Sequence, residues 1–267
     1  MSTHGDSIRV LFLGDIVGAP GLRAVVTMLP GLRKDVGSDF VVINGENATD
    51  GYGLTEEQAL QLFGVGCNVI TTGNHVWQQS SFTDALERHE NILRPANYPP
   101  GVPGHGVCVA DAKGTKIAVI NLQGRVRMPT IDCPFRKAKE LLRKVRQDVS
   151  FVLVDFHAEA TEEKEALAYY LDGEVAAFVG THTHVQTADE RILPKGTAYL
   201  TDLGACAPRD SVIGFDGDIS VQRVLTHIPI RNEVPNHPAN LNGLIVDVDP
   251  ATGRAVHLER LLRNSLV

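Results

Sequence analysis

The stretch Ile8-Arg9-Val10-Leu11-Phe12-Leu13, closed by Gly14-Asp15, decides the fold class. A mainly apolar run of strand length ends abruptly in a glycine and an acid. The same grammar returns twice downstream. Phe40-Val41-Val42-Ile43 ends in Asn44-Gly45-Glu46-Asn47, and Asn68-Val69-Ile70-Thr71-Thr72 ends in Gly73-Asn74-His75. Further runs lie at 116–122, 151–155 and 176–179. Short, β-branched and bounded by turn residues, they read as buried strands.

Helix signals fall between them. Thr55-Glu56-Glu57-Gln58 has capping-box spacing, with Ala59, Leu60, Leu62 and Phe63 as the apolar face behind it. Thr161 and the acids after it start a second helix that runs to about Leu171. Residues 134–149 form a third, with Leu141, Leu142 and Val145 among six basic side chains. Acidic residues dominate elsewhere, so that basic face reads as solvated. Alternating strands and helices predict a layered α/β domain with a partly parallel sheet. In the last third, Arg191-Ile192-Leu193, Ala198-Tyr199-Leu200, 243–248 and 255–262 read as antiparallel strands completing a second sheet. No repeat, low-complexity tract or linker interrupts the chain, which predicts a single domain over 1–267.

The chain has 267 residues, 43% hydrophobic, enough to bury a large core without disulfides or structural metal. Its 25 Lys and Arg against 32 Asp and Glu leave a formal charge of −7, which argues against a dominant basic nucleic-acid surface. Cys67, Cys108, Cys133 and Cys206 form no C-x-x-C pair, so zinc-ribbon and thioredoxin-like readings fail. The residues before Ile8 lack a signal-peptide core, and no apolar run approaches the ~18 residues of a membrane span. The expectation is a soluble protein of a reducing compartment, the cytoplasm, with no membrane partner.

In open α/β sheets, ligands bind beyond the carboxyl ends of the strands. Here Asp15 follows the first strand, Glu46 and Asn47 the second, and Asn74 and His75 the third. His157 follows the 151–155 strand, and His182 and His184 follow the 176–179 strand. If these strands are neighbours in one sheet, the side chains meet in one crevice. Two carboxylates, amide oxygens and several imidazoles there suit two transition-metal ions. An extended His182-Thr183-His184 puts both rings on one side of the chain. A carboxylate can bridge ions about 3.5–4 Å apart and so clamp an in-line displacement. Taken singly, each residue has a structural alternative. Asp15 could cap the helix after Pro20, Glu46 could face solvent, Asn47 and Asn74 could be turn residues, and His157 a satisfied core histidine. Together, each behind its own strand, they point to one site.

Other candidates carry less. His4, His89, His105, His227, His237 and His257 lack partners at useful spacing. The Gly14–Gly21 region is not G-x-G-x-x-G, which disfavours a dinucleotide site. Asp216-Gly217-Asp218 lacks the rest of a calcium loop and reads as a turn. Ser80 and Ser81 lack a G-x-S-x-G elbow.

The motif order Gly14-Asp15, Gly45-Glu46-Asn47, Gly73-Asn74-His75, His157 and Gly180-Thr181-His182-Thr183-His184 resembles the calcineurin-like metallophosphoesterases. The likeness is closer still to their YmdB-like branch, through Phe12–Gly18, Ile43–Ala48, Thr71–His75, Asp155–Thr161, Asn121–Arg125, Gly180–Asp189 and Ile192–Tyr199. Val17 replaces the histidine usual in the first motif, and Glu46 replaces the bridging aspartate. The branch shares both changes and recruits the next residue, here Asn47.

The resemblance implies a four-layer α/β sandwich, two mixed β-sheets flanked by helices. It also implies two ions per chain, iron or manganese. One would be held by Asp15, Glu46, Asn47 and His184, the other by Glu46, Asn74, His157 and His182. His75 would stay off the metals as proton donor. The implied activity is phosphodiester hydrolysis of small cyclic nucleotides, foremost 2′,3′-cyclic nucleotides, through a metal-bridging hydroxide. A phosphomonoesterase or nuclease would use the same metal core, with substrate preference set by loops that include 203–216 and 95–103. Arg125 and Arg127 could contact phosphate or base or could equally be surface residues. A regulator binding nucleotide or RNA without turnover is the reading from another class. The charge balance disfavours RNA, and a homo-oligomer stays open.

Overall fold

The first strand, β1 (Ile8–Leu13), is buried on both faces, and its alternate side chains enter two different cores. The computed structural model describes residues 7–265, so His4 lies outside the described residues. The chain continues through β2 (Asp15–Ile16), α1 (Gly18–Val36), β3 (Phe40–Asn44), α2 (Glu56–Gly64), β4 (Val69–Thr71), α3 (Thr83–Arg88) and β5 (Ile92–Leu93). Next come β6 (Val107–Ala112), β7 (Thr115–Gln123), α4 (Pro134–Val145), β8 (Phe151–His157), α5 (Thr161–Leu171) and β9 (Ala177–Thr181). The last part holds β10 (Arg191–Ile192), β11 (Ala198–Leu200), β12 (Ala205–Pro208), α6 (Gly217–Thr226), β13 (Ala239–Asp249) and β14 (Arg254–Asn264).

Two mixed sheets result. One runs β2-β12-β13-β1-β3-β4-β5, with β14 paired to β13, and the other β10-β11-β9-β8-β7-β6. Strands β1, β3, β4 and β5 are mutually parallel, as are β7, β8, β9 and β11. Side chains alternate across a strand, which sorts the apolar residues into three cores. Val10, Phe12, Phe40 and Val42 meet Val119, Leu153 and Val179 between the sheets. Leu11, Leu13, Val41 and Ile43 face Val25, Leu29 and Leu62 of α1 and α2. Ile120, Val154 and Phe178 face Leu141 of α4 and Leu167 of α5. The order helix, sheet, sheet, helix is the expected four-layer sandwich. No helix among the described residues is long and apolar enough to cross a membrane.

The local signals act as expected at α2, where Thr55 Oγ1 accepts from Gln58 N at 3.3 Å and Gln58 Oε1 from Thr55 N at 3.0 Å. Several expectations need correction. The helix read over 134–149 stops at Val145, and Asp148 N bonds back to Val145 O in a turn. Asp216-Gly217-Asp218 opens α6, with Asp216 Oδ1 accepting from Ile219 N at 2.9 Å, because a short acidic residue caps a helix as readily as it makes a turn. The C-terminal strands do not all complete the second sheet. There, β11 lies parallel to β9, with β10 antiparallel beside it. Strands β13 and β14 return to the first sheet, where β13 lies antiparallel to β1. Periodicity fixes which faces are buried, not which strand is the neighbour.

Gly14 lets the end of β1 approach the chain before β12. A Cβ there would lie 1.8 Å from the Gly204 carbonyl oxygen. Gly14→Ala should therefore destabilise the fold by about 3 kcal/mol in urea unfolding. Gly31→Ala, on α1 with open space around it, should stabilise it by ~0.5–1 kcal/mol. Equal midpoints for Gly14→Ala and the parent would contradict the packing described.

Candidate metal centre

Asp15 lies just past β1, Glu46 and Asn47 just past β3, and Asn74 and His75 beyond β4. The second sheet supplies His157 at the end of β8 and His182 and His184 just past β9. The structure brings all eight together, with one correction. The crevice lies between the carboxyl edges of two sheets, not along one. The edges are stitched by Asn44 Nδ2 donating to Asp155 Oδ2 at 3.1 Å and Thr72 N to Asn121 Oδ1 at 3.1 Å.

His157 is the hub. Its Nε2 lies 2.9 Å from Glu46 Oε1, 3.2 Å from Asn74 Oδ1 and 3.0 Å from His182 Nδ1. Glu46, His157 and His182 place ligand atoms within 4.8 Å of one another. Beside them, Asp15 Oδ1 is 3.7 Å from His184 Nε2 and 3.8 Å from His157 Nδ1. Asn47 Nδ2 is 3.1 Å from the same His184 nitrogen. As placed, Asn47 turns its carbonyl to His75, so ligation through oxygen needs a half-turn of its amide. Asp15 does not cap α1, whose first turn follows Val17 without a side-chain cap.

The chemistry of this set fits cations. Asp15 Oδ1 and Glu46 Oε1 are buried, and no hydrogen bond from the described residues reaches either, despite the close approach of His157. Unpaired buried charge is costly, so something positive must sit among these acceptors. His157 Nδ1 is 3.0 Å from Thr181 Oγ1, which donates to Asp155 Oδ1 at 2.7 Å. His184 Nδ1 donates to the Ile213 carbonyl at 2.7 Å, and His182 Nε2 is 3.3 Å from Glu159 Oε2. Such outer partners set the tautomer, leaving His157 Nε2, His182 Nδ1 and His184 Nε2 with free lone pairs for an ion.

The protonation pattern follows. Burial opposes charge on His157, but Glu46, then Asp15, pull its pKa up to about 9. Burial and the neighbouring His157 charge push His182 down to about 3. Burial would raise Glu46, yet His157 and the other rings hold it at about 2. Asp15, where burial prevails, rises to about 6. Proton and cation are alternatives at this point.

Two backbone features shape the centre. His182 and His184 adopt φ of 99° and 64°, where non-glycine residues cost about 1–3 kcal/mol each. Gly73 gives room for the hub, since a Cβ would lie 2.1 Å from His157 Cδ2 and 2.3 Å from Glu46 Oε2. His75 is held at three points. Its N–H donates to Glu46 Oε2 at 3.2 Å, its Nδ1 is 2.6 Å from Asn47 Oδ1, and Tyr52 meets the ring edge-on at 5.2 Å. Burial lowers its pKa. Tyr52 stacks on Phe215, and both line a cleft of about 350 Å³ that reaches His75, His182 and His184.

Sequence reading missed Asp155, Glu159, Tyr52 and the Ile213 carbonyl. Asp155 had a signal, an acid in an apolar strand two residues before His157 and hence on its face. The 203–216 loop does reach the cleft through Ile213 and Phe215. Arg125 and Arg127 are exposed and do not line that cleft, and His89 pairs with Glu56 instead.

A sequence model for the YmdB-like protein family matches residues 11–261. A Bacillus subtilis protein named 2′,3′-cyclic-nucleotide 2′-phosphodiesterase is 46% identical over 257 residues, 96% of this chain and 97% of its own. Two crystal structures superpose with TM-scores of 0.91. A hypothetical protein from Thermus thermophilus is 39% identical and covers 97% of this chain and 100% of its own. A novel phosphatase from Mycoplasma pneumoniae is 36% identical, covering 97% and 94%.

A group whose folded pKa exceeds its unfolded value stabilises the fold below the unfolded pKa and loses that contribution as pH rises through the folded one. For His157 the window runs from its ordinary 6.5 to about 9, above the range in which Asp15 titrates. Chelator-treated protein should therefore lose Tm across that interval, and His157→Gln should flatten the slope. A level or rising Tm would contradict the charge on His157.

Proposed function

The chain belongs to the YmdB-like family, and on that premise we propose that it is a two-metal phosphodiesterase of 2′,3′-cyclic nucleotides. It has the calcineurin-like metallophosphoesterase fold and is a phosphoric ester hydrolase. The finer reading rests above all on one observation, the two buried carboxylate oxygens, Asp15 Oδ1 and Glu46 Oε1, that accept no hydrogen bond from the described residues and face His157, His182 and His184. Substrate class is supported by the Bacillus relative, which aligns over nearly its whole length. The cleft volume of about 350 Å³ also falls in the range of small-molecule pockets.

In this reading Asp15, Glu46, Asn47 and His184 would hold one ion, and Glu46, Asn74, His157 and His182 the other, Glu46 belonging to both sets. Nitrogen and oxygen donors without thiolate accept iron or manganese without selecting one metal. Bound ions supply Lewis acidity toward phosphoryl oxygens and bring the pKa of water toward neutrality. The protein's own groups do the rest. Thr181 and Ile213 orient the His157 and His184 rings. Asn47, Tyr52 and the Glu46 contact to its backbone fix His75 at the cleft. Hydrolysis forms one P–O bond from water and breaks one P–O bond of the five-membered ring. With the Asn47 amide turned so that its Nδ2 donates to His75 Nδ1, the ring proton would sit on Nε2, pass to the departing ribose oxygen and be replaced by the proton that the water loses.

General acid catalysis contributes ~10²–10⁴-fold where the leaving group is a strong base. His75→Ala should keep its metal content and lose about 10²-fold or more on a 2′,3′-cyclic nucleotide, with far less loss on bis-p-nitrophenyl phosphate. Metal loss with equal damage on both substrates would make His75 a ligand. Equal damage with metal retained would make it a phosphate-positioning residue. Wild-type turnover of monoesters or short RNA in preference to 2′,3′-cyclic nucleotides, cyclic dinucleotides included in the panel, would overturn the substrate assignment.

A further inference from the structure

One buried ion pair has no part in the chemistry above. Lys164 of α5 and Asp202, just past β11, are both buried, with Nζ 2.7 Å from Oδ2. The same Asp202 oxygen accepts from Thr183 N at 3.1 Å and from Thr183 Oγ1 at 2.8 Å. Its other oxygen accepts from Gly204 N at 2.9 Å, and its backbone exchanges bonds with Thr187. Thr183 stands between His182 and His184, the two residues held at positive φ.

We infer that Lys164 and Asp202 are positioning residues that clamp Thr183 and so hold His182 and His184 in the strained conformation that aims both rings at the centre. The inference rests on the metal-centre reading of these histidines. Neither side chain touches the cleft. A buried ion pair adds little to stability compared with apolar packing, so stability alone does not account for its placement. What it adds is direction. Three donors converge on one oxygen, and two of them belong to the residue between the ligands. Lys164 anchors that oxygen to a helix, and Gly180 leaves room for the lysine stem, since a Cβ there would lie 2.9 Å from Lys164 Cδ. Left-handed residues persist only where surrounding structure over-determines them. Asp202 supplies that determination through Thr183 and, in parallel, through Leu203 N donating to Gly180 O at 2.8 Å.

Removing either charge leaves the other buried and unpaired, so the test uses Thr183 in the full chain. Thr183→Val keeps the shape and removes the hydroxyl donor, and Thr183→Ser restores it. Outer-shell changes of this kind cost about 10–100-fold in metal affinity. Titrated with Mn²⁺, Thr183→Val should bind at least about tenfold more weakly, Thr183→Ser like the parent, and all three should share the Tm of the chelated form. Parental affinity in Thr183→Val, failure of serine to rescue, or a chelated-form Tm that falls in step with affinity would overturn the clamp. If the parent binds neither Mn²⁺ nor Fe²⁺, the metal-centre reading fails by itself. Amide hydrogen exchange over 181–185 then decides the clamp, with faster exchange in Thr183→Val alone supporting it and equal exchange overturning it.

Discussion

Two buried carboxylates, each with one oxygen that no hydrogen bond from the described residues reaches, constrain everything around them. Asp15 and Glu46 are both fully buried at the ends of neighbouring parallel strands, each with an oxygen left unpartnered among the described residues. An isolated anion in that setting would be protonated or exposed. Here the opposite sheet answers with His157, His182 and His184, and the next residues along the first sheet add Asn47 and Asn74. The arrangement makes sense around cations, with a proton on His157 as the substitute when none is bound.

That constraint explains the four-layer architecture better than helix or strand propensity does. The parallel strands of each sheet are buried on both faces, and their carboxyl edges offer open polar ground. Placing the sheets face to face brings two such edges together. Glu46 and Asn74 then come from one sheet and His157 and His182 from the other. The centre therefore depends on the packing of Phe12, Phe40, Val119 and Leu153 between them. The cost appears locally as left-handed histidines and as Gly73 pressed against His157. Outer partners hold the strained parts. Thr181 and Asp155 steady His157, the Ile213 carbonyl steadies His184, and Asp202 grips the turn between the two last histidines.

Much of this was legible in the sequence because strand ends carry their own signature. Gly14-Asp15, Gly45-Glu46-Asn47 and Gly73-Asn74-His75 each follow an apolar run, and the turn residues that end each run mark what emerges at the edge. Thr161 to Leu171 could likewise be read as a helix from its start and stop signals. What stayed hidden was pairing. Nothing in the run 243–248 tells that it returns to lie beside β1, where Arg9 and Asp247 then face each other as partners. The division of the site over two sheets was invisible for the same reason. Glu159, Tyr52 and Asp202 were missed because their roles arise only from what folds against them, while Asp216 was misread because turns and helix caps favour the same short acid.

The central claim is that Glu46 stands between two ions. Crystals of the manganese-loaded chain, with anomalous scattering recorded at the manganese edge and metal content measured on the same sample, test it directly. The account predicts two anomalous peaks per chain, about 3.5–4 Å apart, with Glu46 touching both, Asp15 and His184 on one, and His157 and His182 on the other. A single peak, or peaks held by His89, His105 or other histidines away from this crevice, would contradict it.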